Sequence, residues 1–176
     1  MNRSAMLRTK EVYALNFSNS SWRRAMFAGI LATLVFSLLL RLAPMVGSPR
    51  IDVPLWDGTL VTLNLRAAII VGYGLEFGAG ILLARLYEQL RSRLKTTPLA
   101  RGAVFGMVIW AVLMVAGLPL FSVVSPLVTH GLLLSPGFFA WHFGLATTML
   151  LLASLLMYGM TVSYLMESPR FRPHPG

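Results

Sequence analysis

No cysteine occurs among the 176 residues. That absence removes disulfide frameworks, zinc fingers, iron–sulfur clusters and cysteine nucleophiles at once. Charge is scarce as well: 12% of residues are Asp, Glu, Lys or Arg, where a soluble domain carries about a quarter. The acids are the scarcer sign, six against fifteen Lys and Arg, and only Asp52 and Asp57 lie close together. That pair reads as a turn capped by Asp, without the third ligand a metal site needs. The chain also lacks GxSxG, HExxH, CxxC and P-loop patterns, so an enzyme is not expected. The polarity that marks a disordered chain is absent too, because 56% of residues are hydrophobic and the mean hydropathy is +0.71.

What remains is apolar sequence in long blocks. Four runs, at about 25–42, 67–86, 99–118 and 138–164, approach the ~20 residues that cross ~30 Å of hydrocarbon. They are continuous rather than alternating, which selects helices over a β-barrel. The expected fold class is an all-α integral membrane protein, a four-helix transmembrane bundle over residues 25–166. A basic arm (1–24) precedes it and a short tail (167–176) follows. Between Ser4 and Leu15 the arm reads either as a short helix lying on the membrane surface or as a loosely ordered tail. No convincing small-residue cleavage site follows the first run, so it reads as an uncleaved anchor. Thr97 before Pro98 and Ser135 before Pro136 have the form of helix starts for the third and fourth spans. Pro119 is expected to end or kink the third, and Ser168 with Pro169 to close the fourth.

Lys and Arg are distributed unevenly. The arm holds Arg3, Arg8, Lys10, Arg23 and Arg24; the second loop holds Arg85, Arg91, Arg93, Lys95 and Arg101; the tail adds Arg170 and Arg172. On the other side, Arg41, Arg50 and Arg66 are offset by Asp52 and Asp57, and residues 119–137 carry no charge. The positive-inside rule then places both termini in the cytoplasm of a prokaryotic plasma (inner) membrane. Trp22, Tyr87 and Tyr164 are expected at the inner interface, with Trp56 and Trp141 at the outer one. The net charge of +9 therefore needs no nucleic acid. Arg23, Arg24, Arg85, Arg91, Arg93 and Arg101 suit anionic lipid headgroups such as cardiolipin, although topology alone also accounts for them.

Glu76 is the anomaly. Counting along the second span puts it ~15 Å from the outer end at ~1.5 Å per residue. A charge at that depth costs ~2.5–3.5 kcal/mol by insertion scales. Gly72 and Gly80 lie on its face, one turn either side, and Gly74 and Gly78 form a small-xxx-small pair beside them. Glu76 therefore reads as a proton or ion relay, as a neutral acid hydrogen-bonding across helices, or as a subunit contact. By depth, its candidate partners are His142, Trp110 and Tyr73, with a hydroxyl from Thr33 or Ser37, forming one intramembrane polar layer. Haem would need two histidines at compatible depth. His130, His142 and His174 do not supply them, and no cofactor is expected.

The segment RGAVFGMVIW (residues 101–110), followed by Gly117, Leu118, Pro119 and Leu120, resembles the third span of a bacterial family of small four-span membrane proteins of unknown function, broadly YagU-like. Residues 52–54, the glycine-flanked polar residue of the second span and the Trp141, His142, Phe143, Gly144 string extend the likeness over about 25–158. The resemblance implies a fold and a location and brings no activity. Where that family tends to carry a histidine in the second span this chain has Glu76, so a role for paired intramembrane histidines does not transfer. Small size, glycine faces and the apolar outer loop 119–137 point to a non-catalytic accessory or assembly subunit docked on other membrane-protein subunits. The alternative is a small proton- or solute-conducting protein that uses Glu76 as an oligomer.

Overall fold

Residues 3–28 contain neither glycine nor proline, the two residues that most readily interrupt a helix. In the computed structural model, which describes residues 3–168 and side chains from Ser21 onward except Val46, helix α1 accordingly runs unbroken from Arg3 to Arg41. The basic arm is thus continuous with the first span rather than a separate short helix. The tail from Pro169 onward, His174 included, lies outside the described residues.

After α1, Pro44 opens a 3₁₀ turn, Ala43–Val46, and left-handed Gly47 closes it. The expected Asp-capped turn is a two-turn helix, α2 (Val53–Thr59), in which the Asp52 side chain accepts a hydrogen bond from the Leu55 amide at 3.3 Å. Helix α3 (Leu65–Leu90) is capped by Asn64, which accepts from the Arg66 and Ala67 amides at 3.1 and 3.3 Å. Helix α4 (Pro98–Val112) starts where expected, although the Thr97 hydroxyl makes no capping bond. It passes through a π-turn, Leu113–Gly117, into α5 (Leu118–Val124). Pro119 sits in the first turn of α5 and does not end the span, because the π-turn resets the hydrogen-bond register just before a residue with no N–H to give. Helix α6 (Pro126–Thr129) and a 3₁₀ segment, Phe138–Phe143, lead to α7 (Leu145–Glu167).

Four helical stretches among the described residues are long and apolar enough to cross a membrane: Ser21–Arg41, Leu65–Arg93, Pro98–Val124 and Leu145–Glu167. The chain is a multi-pass α-helical membrane protein. The fourth span begins at Leu145, not at Pro136. Phe139 and Ala140 take left-handed backbone angles (φ 54° and 52°), as do Gly137 and Gly144, and no α-helix continues through such residues.

Packing follows glycine. A Cβ on Gly102 or Gly106 of α4 would run into the backbone of α7 at Gly159 and Leu155, and one on Gly159 would strike Gly102. Helices α4 and α7 therefore touch backbone to backbone, as small residues permit in lipid. On the other side, Gly29 of α1 meets Gly80 and Ile81 of α3, and buried Ala25, Ala28, Ala32 and Ala84 continue the seam. Helix α7 also packs against α1. Helices α3 and α4 make no packing of comparable extent, so the ring of spans stays open on one side.

The expected glycine pair fares differently. Gly72 abuts the Pro54 carbonyl of α2, not another span, and nothing lies within 4 Å of a Cβ on Gly74 or Gly78. The belt residues also divide. Trp22, Tyr164 and Trp141 are exposed, while Tyr87 is fully buried, with its hydroxyl 2.7 Å from Ser163 Oγ and 2.5 Å from Glu167 Oε1. Trp56 is packed inside, stacked on Phe121.

Gly159→Ala is expected to lower stability by ~1–3 kcal/mol through overpacking against α4. Gly74→Ala, with open space and better helix propensity, is expected to leave it unchanged or slightly raised. Unfolding midpoints of the two purified variants check the contrast.

Candidate functional site

The open side of the ring holds a cavity of ≈ 410 Å³. Its walls come from α1 (Thr33, Phe36), α3 (Glu76, Gly80, Leu83), the end of α4 and its π-turn (Ile109, Leu113), and α7 (Leu151, Leu155, Tyr158). Two pieces of connecting chain and the last turns of the third span roof it. Helix α2 contributes Trp56 and Asp57, α5 contributes Phe121, and the 3₁₀ segment contributes Ala140 and Phe143. Trp56 lies 5.7 Å from both the Phe121 and Phe143 rings, so the roof is an aromatic cluster.

Local sequence places each part. Gly58 and Gly72 let α2 lie directly on the first turns of α3, which turns Asp57 toward the space below. The left-handed turn at Phe139 and Ala140, where the Thr148 hydroxyl donates to the Phe139 carbonyl at 2.6 Å, folds the 3₁₀ segment over the gap. The Tyr158 hydroxyl donates to the Gly80 carbonyl at 2.5 Å and ties α7 to α3.

Glu76 is the polar centre of the wall and is only 7% exposed. The Ser37 hydroxyl donates to its Oε1 at 2.5 Å, whereas its Oε2 is buried with no hydrogen-bond partner. Thr33, 2% exposed, has an unpartnered hydroxyl in the same wall. One turn above Glu76, the Tyr73 hydroxyl accepts from Arg41 Nη2 at 2.6 Å. Arg41 is the last residue of α1, so Glu76 lies one turn from that helix's end. Burial first, and then the Glu76 carboxylate, push the Asp57 carboxyl up from 3.8 to about 6.

The expected polar layer forms only in part. Ser37 bonds Glu76 and Thr33 shares its cavity wall, whereas Tyr73 bonds Arg41 and is not part of that wall. His142 does not: it precedes α7, is exposed, and its Nδ1 lies 2.7 Å from the Ser135 carbonyl oxygen. The later start of α7 carries it away from Glu76. Trp110 packs edge-on against Phe139 at 5.9 Å, with its indole N–H unpartnered, and is not part of the cavity wall. Asp57, Tyr158 and Arg41 are the site residues the sequence reading missed. The signal for Asp57 was present in the Asp52 cap, the Pro54 behind it and Gly58, which together specify a short helix able to pack closely.

At the arginine-rich end, Arg85 bonds Ser21 at 2.8 Å and pairs with Glu88. Arg101 bonds the Thr96 carbonyl at 2.9 Å and pairs with Glu167 at 3.3 Å. Those two of the six candidate lipid-binding arginines are thus held internally, while Arg23 and Arg93 are exposed. The loop at 119–137 is not free along its length either: its first residues belong to α5, and Ser125 and Pro136 are fully buried. A second concavity, ≈ 550 Å³ between α1 and α7, offers only Thr161 and Tyr164 as polar groups.

No family model, curated protein or solved structure matches the chain.

A carboxyl whose folded pKa lies above its unfolded one binds its proton more tightly when folded. Its contribution favours folding at low pH and is lost as pH rises through about 6. The unfolding midpoint is therefore expected to fall between about pH 4 and about pH 7, and Asp57→Asn to flatten that slope. Midpoints recorded across the range for both proteins check this.

Proposed function

We propose that the chain binds a small, largely apolar molecule that enters from the bilayer between α3 and α4 and anchors at Glu76. One observation carries the reading. A buried carboxylate with an unpartnered oxygen faces a cavity whose other walls are mostly aliphatic and aromatic. Ligand sites have this character, with volumes of ~300–1,000 Å³ and a few placed polar groups. The rim supports lateral entry, since Leu60, Ala79, Leu120 and Val124 line the cavity and are exposed. An apolar rim of this kind is at home against lipid tails. The role is binding, with no chemistry on the bound molecule. Carriage across the membrane would extend the reading toward solute conduction, for which Glu76 is the supporting residue.

An accessory-subunit role is the second reading. The observation favouring it is the open face of Gly74 and Gly78, which would admit a neighbouring helix closely. We further propose a prokaryotic inner-membrane location with both termini cytoplasmic, on the positive-inside bias, and anionic-lipid contact at Arg23, Arg24, Arg91 and Arg93. The YagU-like resemblance is consistent with that location. For orientation, a cysteine at Ser92 is expected to react from the cytoplasm and one at Met45, 83% exposed, from outside only. The reverse pattern contradicts it.

Binding is tested with Trp22, Trp110 and Trp141 replaced by Phe, leaving Trp56 in the roof as the reporter. In lipid nanodiscs, bromobenzene is expected to quench Trp56 saturably. Filling the cavity by Leu113→Phe is expected to weaken that binding at least about tenfold, ~1.4 kcal/mol. Quenching that rises linearly and equally in both proteins contradicts the reading.

A further inference from the structure

Resting on that cavity as a binding site, we infer that its occupant is a monovalent organic cation with an apolar body, which displaces a proton shared by Glu76 and Asp57. The wall decides the sign. Two carboxyl groups line it, and among the described residues no Lys, Arg or His does. Arg41 lies outside the wall, with its guanidinium bonded to Tyr73.

The polar atoms left over are acceptors or can serve as such. Glu76 Oε2 is buried and unpartnered, and so is the Thr33 hydroxyl oxygen. The Tyr158 proton is already given to the Gly80 carbonyl. A neutral acceptor ligand would find few donors here, and an anion would meet two acids. A cation meets the carboxylates on one side and the clustered faces of Trp56, Phe121 and Phe143 on the other, and aromatic faces attract cations. A bare inorganic ion would lose its hydration without enough oxygen ligands to replace it, which leaves a cation that brings its own apolar surface.

The proton follows from the same crowding. Glu76 is faced by Ser37 and Arg41 from α1, by Asp52 and Asp57 from α2 and by Tyr158 from α7, with Tyr73 on its own helix. Two carboxylates sharing one weakly polar space do not both ionise readily, so in mildly acidic solution the pair holds a proton that a compensating charge can release. A bound cation supplies that charge, the proton leaves to water, and the net charge of the cavity is unchanged.

Benzyltrimethylammonium is the probe, because its charge does not titrate, and neopentylbenzene is its uncharged counterpart of the same shape. Both are measured on the full chain in nanodiscs, the cation by calorimetry and each by displacement of bromobenzene from Trp56. The expected result has three parts. The cation binds at least about tenfold more tightly than the hydrocarbon near pH 7. Its affinity rises by up to about tenfold per pH unit below about pH 6 and levels off above. Glu76→Gln, which can still accept from Ser37, abolishes the preference, while Asp57→Asn moves the pH dependence to lower pH and keeps much of the binding. If the hydrocarbon binds saturably and as well as the cation, and Glu76→Gln changes neither, the cavity reading stands and the cation inference is overturned. Cation binding that does not vary with pH overturns the proton exchange. Failure of both probes, with linear bromobenzene quenching, overturns the binding site itself.

Discussion

Close approach of helix backbones at glycine sets the plan of this molecule. Lipid tails are as apolar as leucine, so helices in a bilayer gain little from burying hydrocarbon against each other and associate where small residues let them come near. The described residues form two such seams, Gly102 and Gly106 against Gly159, and Gly29 against Gly80. They draw α4 to α7 and α3 to α1. No third seam joins α3 to α4, and the cavity is the consequence. Its volume reflects where glycine is missing as much as where it is present.

The roof answers the same constraint. An open ring of four spans would expose its centre at the α2 end, and connecting chain covers it. Helix α2 is pressed onto α3 through Gly58 and Gly72, and the strained turn at Phe139 and Ala140 brings Ala140 and Phe143 in from the other side. Non-glycine residues held left-handed cost of order 1–3 kcal/mol each and persist only where their surroundings hold them. Here full burial of Ala140 and the Thr148 bond do so. Glu76 and Asp57 come from different elements and face one cavity only because the roof folds back, so their coupling is a property of the tertiary structure.

Much of the architecture was legible in the sequence because hydropathy over twenty residues is a strong signal. Four spans, the start of α4 and the role of Asp52 as a cap could all be read from it, and Glu76 stood out because a buried acid is costly in any apolar run. What could not be read was rotation and reentry. A GxxxG pattern says that a helix has a flat face, not which neighbour meets it. Gly74 with Gly78 and Gly102 with Gly106 have the same spacing, yet only the second pair is packed within this chain. His142 was placed by counting from Pro136, and the left-handed residues after it move the helix start to Leu145. Pro119 suggested an end to the span, but a π-turn absorbs it. Asp57 was read as part of a capped turn because a loop acid normally faces water, and nothing local shows that α2 folds inward.

The central claim is that Asp57 and Glu76 look into one poorly solvated space. The most direct test is the titration of the Asp57 carboxyl carbon by NMR, in the natural chain and in Glu76→Gln. The account predicts a midpoint at about 6 in the natural chain. Removal of the neighbouring charge should lower it while burial keeps it above 3.8. A midpoint near 3.8 in the natural chain, or one indifferent to Glu76→Gln, would contradict it.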